Sequence, residues 1–114
     1  MAQAIARAAK SIKAEDVVIL DVSKLADFCD YFVIASGNSL RQTASIAQAI
    51  QDGLEKVGIK SLSKVPRGDE SGWIALDYVS VIAHSFYKPM REFYSLESLW
   101  SDAKKVRVVA SKRK

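Results

Sequence analysis

Two runs of apolar, largely β-branched residues constrain this chain most: Asp16-Val17-Val18-Ile19-Leu20-Asp21-Val22 and Asp30-Tyr31-Phe32-Val33-Ile34-Ala35. Neither alternates apolar with polar residues, as a strand wetted on one face would, so both read as strands covered on two sides. A sheet buried in that way needs other structure above and below it. The link from Ser23 to Cys29 is short enough to make the two strands neighbours.

The remaining pattern supplies the covering layers. Ile5, Ala8, Ala9 and Ile12 recur at helical spacing in a run free of Gly and Pro, which predicts a helix over Gln3 to Ala14. Ser36-Gly37-Asn38-Ser39 breaks the second strand, and Ser39 with Gln42 three residues on matches a capping box. A long helix follows, with Leu40, Ala44, Ala47, Ile50, Leu54 and Val57 on one stripe, Gly53 as an interior weakness and Gly58 placed to end it. Lys60 to Val65 is a weak strand signal expected near an edge, closed by the turn cluster Pro66 to Gly72. Trp73 to Asp77 and Val79 to Phe86 read as a hairpin about Asp77-Tyr78. Pro89 opens a last helix, where a missing N–H costs little, with Met90, Phe93, Tyr94, Leu96, Leu99 and Trp100 apolar through to about Ala103. Val106 to Val109 offers one more extended pairing. The class is α/β, a mixed sheet of about five strands with helices packed on it, and no internal repeat is present.

With 114 residues, 49% of them hydrophobic, the chain can hold one core without disulfides or a structural metal. Cys29 is the only cysteine, which excludes an internal disulfide and a thiolate cluster for zinc. The longest uncharged stretches, Tyr31 to Leu40, Gln42 to Gln51 and Tyr78 to Tyr87, are far shorter than a membrane span of roughly 18 residues. No secretory signal is legible at the N-terminus, so a cytoplasmic protein is expected. The net charge of +4 is uneven: Lys104 to Lys114 holds six of the 17 basic residues and no acidic one, while residues 1–103 carry 11 Lys and Arg against all 13 Asp and Glu. This divides the chain into a single domain over residues 1–105 and a flexible basic tail over 106–114, which is either a solvated terminus or a phosphate contact.

No catalytic constellation stands out. Gly37 sits between a strand and a helix, but without further glycines or a Lys-Ser/Thr pair it reads as an ordinary turn rather than a phosphate cradle. Asp27 with Asp30, and Asp69 with Glu70, fall in connections rather than side by side on a strand, so solvated turn residues are expected before magnesium ligands or an acid–base pair. His84 shares a sheet face with Ile82 and Phe86 and reads as a hydrogen-bonded structural histidine, with nothing to orient Cys29 toward it. If Ile74 and Leu76 face the core, Trp73 and Asp77 point to the other face, where Trp73 is either covered by a helix or an aromatic anchor for a partner. Trp100, Tyr94 and Arg91 pose the same question, with core packing expected for Trp100.

Four ordered motifs carry a resemblance: Asp30-Tyr31-Phe32-Val33-Ile34-Ala35-Ser36-Gly37-Asn38-Ser39-x-Arg41-Gln42, then Gly72-Trp73-Ile74-x-Leu76-Asp77-Tyr78, then Val81-Ile82-x-His84-x-Phe86, then Arg91-Glu92-Phe93-Tyr94-x-Leu96-Glu97-x-Leu99-Trp100-x-Asp102-Ala103. From about residue 4 to 103 the chain resembles the Iojap family, the ribosomal silencing factors. The resemblance implies a nucleotidyltransferase-like fold without catalytic residues, no enzyme activity and no cofactor. It implies binding to the large ribosomal subunit through large-subunit ribosomal protein number fourteen, a steric block to joining of the small subunit, repressed translation under nutrient limitation, and a role of organellar relatives in large-subunit biogenesis.

By motif match, Trp73, Asp77, His84, Arg91, Tyr94, Glu97 and Trp100 are the candidate interface or interface-supporting residues. Trp73 is expected to supply apolar anchor area, Asp77 and Glu97 to face basic side chains, and His84 to order the sheet surface between them. A mildly acidic body suits a basic ribosomal partner. Many relatives have Gly-Asp where this chain has Val79-Ser80, which puts the hairpin turn in doubt. The basic end Ser111 to Lys114 is a candidate contact for ribosomal RNA. Two rival readings remain: an enzyme retaining nucleotide chemistry at Ser36, Gly37 and nearby carboxylates, and a nucleic-acid-binding module led by the tail. A homodimer through an exposed sheet edge is compatible with the pattern, and no membrane partner is expected.

Overall fold

In the computed structural model the chain is described over residues 1–27, 29–62, 72–94, 102–106 and 108, residues 92–94 by backbone alone. The elements are α1 (Ala2–Ser11), β1 (Glu15–Asp21), β2 (Tyr31–Gly37), α2 (Leu40–Glu55), β3 (Trp73–Asp77), β4 (Val81–Tyr87), α3 (Lys88–Tyr94) and β5 (Lys104–Val106). One mixed sheet runs in the order β3-β4-β2-β1-β5. β2 and β4 are parallel, and every other neighbouring pair is antiparallel. A parallel pair needs a long crossover, and α2 with the segment to β3 provides it.

Both expected faces of the two apolar runs are buried. Val17 and Ile19 of β1, with Val33 and Ala35 of β2, pack under α1 and α2 against Ile5, Ala9, Ile46, Ala47, Ile50 and Leu54. Leu20 and Val22, with Phe32 and Ile34, point the other way and form a second cluster with Phe86 and Cys29. Period-two alternation within a continuous apolar run thus feeds two cores from the same strands, each buried Ile, Leu or Phe contributing about 1.5–3 kcal/mol.

The helix ends differ in how much of their cause is local. α2 closes as Gly58 predicts: Gly58 takes a left-handed φ of +82°, its N–H donates to Glu55 O at 3.0 Å and the Ile59 N–H to Leu54 O at 2.9 Å. Helix α1 stops three residues before the predicted end at Ala14. Lys13 adopts φ +64°, and the same double bond forms, Lys13 N–H to Lys10 O and Ala14 N–H to Ala9 O. The Ser39 hydroxyl caps α2 by accepting from the Gln42 N–H at 3.0 Å, while the Gln42 side chain accepts from Asn38 N–H, one residue earlier than a capping box requires.

Other boundaries move. Val57 leaves the predicted stripe because α2 ends before it, and it is 68% exposed; Thr43 and Ile46 are buried on the stripe instead. Residues 60–62 form no strand, although Leu62 N–H donates to Asp77 O at the sheet's β3 edge; Ser63 to Val65 and the turn cluster to Ser71 lie outside the described residues. β4 starts at Val81, two residues later than predicted. Pro89 is the second residue of α3, whose predicted continuation over 95–101 lies outside the described residues. The last pairing comes two residues early, at Lys104–Val106. Val106, assigned on sequence to the tail, pairs with Ile19 and belongs to the sheet.

Candidate functional site

The β3–β4 hairpin sets Trp73 opposite Phe86, Ala75 opposite His84 and Asp77 opposite Ile82. These side chains share the sheet face turned away from α1 and α2. Burial falls across it: Phe32, Phe86 and His84 are buried, Trp73, Ile82 and Asp77 are half-buried, and Ala75 is exposed. The face is closed at its centre and open toward β3.

Trp73 is held in place from two sides. Its indole Nε1–H donates to His84 Nδ1 at 3.0 Å, and its ring stacks on Phe86 with centroids 5.2 Å apart. His84 is itself seated edge to face against Phe32 at 4.9 Å. Burial pushes the His84 pKa down from 6.5 to about 4, so the ring is neutral near pH 7. An indole can only donate, so Nδ1 is the acceptor and the ring proton sits on Nε2, which is buried without a hydrogen-bond partner. The structural role expected for His84 is the one the geometry gives it: it fixes the rotamer of a half-buried tryptophan.

Asp77 lies on the same face at the other end of β3. Its Oδ1 accepts from Val79 N–H at 2.8 Å, which organises the hairpin turn. There Ser80 N–H donates to Tyr78 O at 2.9 Å around Val79 at φ +71°, a γ-turn of the strained hand at a β-branched residue. Val79, a β-branched residue, therefore holds a backbone conformation that favours glycine, and the turn is strained. Val79 and Leu62, 66% and 73% exposed, both donate their backbone N–H to Asp77, Val79 to the carboxylate and Leu62 to the main-chain carbonyl. Neither residue was a sequence candidate; Val79 carried a signal as a departure from the motif, and Leu62 none.

Arg91 is buried rather than displayed. Its guanidinium Nη1 donates to Asp16 O and to the Ser36 hydroxyl, each at 2.7 Å, tying α3 to β1 and β2. It therefore supports the fold and is not part of the open face. Tyr94 lies in the last turn of α3, described by its backbone, and Glu97 and Trp100 lie outside the described residues.

The features that favoured nucleotide chemistry find other uses. A side chain at Gly37 would place its Cβ 2.9 Å from Thr43 N, so this glycine lets β2 approach the first turn of α2. Two amides of that turn are already taken, Gln42 N–H by the Ser39 hydroxyl and Thr43 N–H by Ser39 O, and Ser36 Oγ accepts from Arg91. Burial, aided by Asp30 and Asp77, raises the Cys29 thiol and disfavours its thiolate. Asp27 and Asp30 are exposed in a connection, and Asp69 and Glu70 lie outside the described residues. Among the described residues no group of three His, Cys, Asp or Glu could hold a metal ion, and no helix is long and apolar enough to cross a membrane.

Comparison with known proteins follows the same line. The family described as ribosomal silencing factor during starvation, RsfS, matches residues 1–114. The chain is similar to the ribosomal silencing factor RsfS of Bacillus subtilis, 40% identical over 91 residues that cover 80% of this chain and 76% of the relative. It is also similar to the chloroplastic Iojap protein of Zea mays, 35% identical over 104 residues, 90% of this chain and 44% of that protein. A crystal structure of a Chromobacterium violaceum protein superposes with a TM-score of 0.81 at 29% identity, covering 95% of this chain and 89% of that one. A Bacillus halodurans crystal structure gives 0.78 at 30% identity, covering 92% and 94%. With a family match over residues 1–114 and relatives of this name up to 40% identical among those compared, the chain belongs to the RsfS family of ribosomal silencing factors.

Proposed function

We propose that this chain docks on the large ribosomal subunit through large-subunit ribosomal protein number fourteen, and keeps the small subunit from joining. Docking there lowers translation when nutrients are limiting. The protein acts in the cytoplasm by occupancy, with no substrate turned over. The observation that carries this reading is Trp73: half-buried, locked by His84 and Phe86, and set where its sheet face opens to solvent. A preorganised aromatic of this kind loses little entropy on binding and is the residue type that dominates protein interfaces. Asp77, at the other end of the same face of β3, offers a carboxylate to a basic partner, and exposed apolar Val79 in the turn and Leu62 bonded to Asp77 O add area. Tyr94, Glu97 and Trp100 are proposed to extend this face.

Co-sedimentation with separated ribosomal subunits tests the proposal. The protein should pellet with the large subunit and not the small one, and should lower the yield of joined ribosomes when the missing subunit is added at association-favouring magnesium. Trp73→Ala should weaken large-subunit binding by about 2 kcal/mol. A folded Trp73→Ala protein that binds as tightly as the parent removes Trp73 from the interface, and binding to neither subunit overturns the proposal.

A further inference from the structure

The main chain at Trp73 is pinned. Gly72 before it takes φ +81°, the Gly72 carbonyl accepts from Tyr87 N–H at 2.8 Å, and a Cβ on Gly72 would stand 2.6 Å from Met90 Cγ of α3. What is left to Trp73 is rotation of its side chain. Phe86 stacks against the indole at 5.2 Å, which favours a parallel ring without fixing its direction. The next residue of β3 on the same face is Ala75, exposed and offering only a methyl beside the ring. The bond from the indole Nε1–H to His84 Nδ1 at 3.0 Å is what gives the ring its direction.

That bond carries a penalty that a residue serving the fold alone would avoid. His84 is 6% exposed and packs edge to face on Phe32 at 4.9 Å, with the Phe86 ring 6.2 Å away. Since Nδ1 accepts, the ring proton is on Nε2, which is buried with no hydrogen-bond partner among the described residues. An unpaired buried donor destabilises the folded state. A phenyl ring here would keep the contacts to Phe32 and Phe86 and remove the orphaned donor, but it could not accept from an indole. The imidazole therefore serves Trp73 at the expense of the core around it.

We propose that His84 is a positioning residue for docking, retained against fold stability because its Nδ1 sets the Trp73 indole in the orientation the partner meets. This rests on the docking reading above, in which Trp73 is the anchor. An anchor already held in its bound rotamer loses less freedom on association, so the bond acts on affinity. The test compares the full chain with Trp73→Ala, His84→Phe and His84→Asn in urea melts, in co-sedimentation titrations with the large ribosomal subunit, and in proton–nitrogen correlation spectra, where Trp73→Ala identifies the Trp73 indole signal. His84→Phe should move that signal upfield as the hydrogen bond is lost, leave the urea midpoint no lower than the parent's, and weaken large-subunit binding about tenfold. His84→Asn, whose amide oxygen can take the place of Nδ1, should return the signal downfield and recover the binding, although its amide adds buried donors and lowers the midpoint. Across the variants, binding should follow the indole signal and not the urea midpoint. Parent-like binding by His84→Phe, an indole signal that His84→Phe leaves in place, or binding that follows the midpoint instead would overturn the proposal. Failure of the docking reading shows separately: the parent then does not pellet with the large subunit, or Trp73→Ala binds as tightly as the parent.

Discussion

His84 is the chain's single histidine, and its burial has a thermodynamic consequence. Unfolded, the ring takes up a proton near pH 6.5; folded, it resists until about pH 4. As pH falls through that window the unfolded state binds the proton first, so stability declines from pH 6.5 downward and stops declining on this account below about pH 4. The folded protein should lose about 2 kcal/mol between pH 7 and pH 5 in urea melts, and His84→Gln should lose much less. Parallel declines would mean that another group governs this window. Val79 is the second residue whose environment predicts its effect. It holds φ +71° and is 66% exposed, so Val79→Gly gives up little burial and relieves the turn. The urea midpoint should rise by an amount worth about 1 kcal/mol at unchanged slope; a lower midpoint would show that the γ-turn is not strained. Motif and alternation placed Trp73, Asp77 and His84 on one sheet face. The indole–imidazole bond was not legible, because it joins residues on diagonal positions of two strands and needs the hairpin register to exist first.

Among the elements, α2 is the one whose sequence and structure agree most fully, and Leu54 shows why. It is 1% exposed at the centre of the helix-side core, and its carbonyl receives the Ile59 N–H that closes the helix. Leu54→Ala should destabilise the fold by about 2–5 kcal/mol through the cavity it leaves, measured by denaturant melts, and a loss well below that range would place Leu54 outside the core. Helix ends were legible only where a residue with special backbone preferences marks them. Gly58 announces its left-handed turn; Lys13 adopts nearly the same conformation with nothing in its side chain to say so, and is held there by bonds to Lys10 and Ala9. The same limit applies to β5. Val106 to Val109 reads as the strand by composition, yet pairing begins at Lys104, because what decides the register is which residues Ile19, Leu20 and Asp21 of β1 meet.

At the scale of the whole molecule, four strand spacings of about 4.8 Å, about 19 Å in all, separate β3 from β5 at the two edges of the sheet. What residues a few positions apart control was readable without coordinates: the doubly covered strands β1 and β2, the capped and glycine-terminated α2, the hairpin, and the acid-free ends. These depend on local periodicity and backbone preference. Packing between distant segments decided the rest. It made β2 and β4 parallel neighbours, turned Arg91 inward onto Asp16 and Ser36, and locked Trp73 against His84. Each of these is a meeting of groups far apart in sequence, and only closure of the sheet around its two cores brings them within bonding distance.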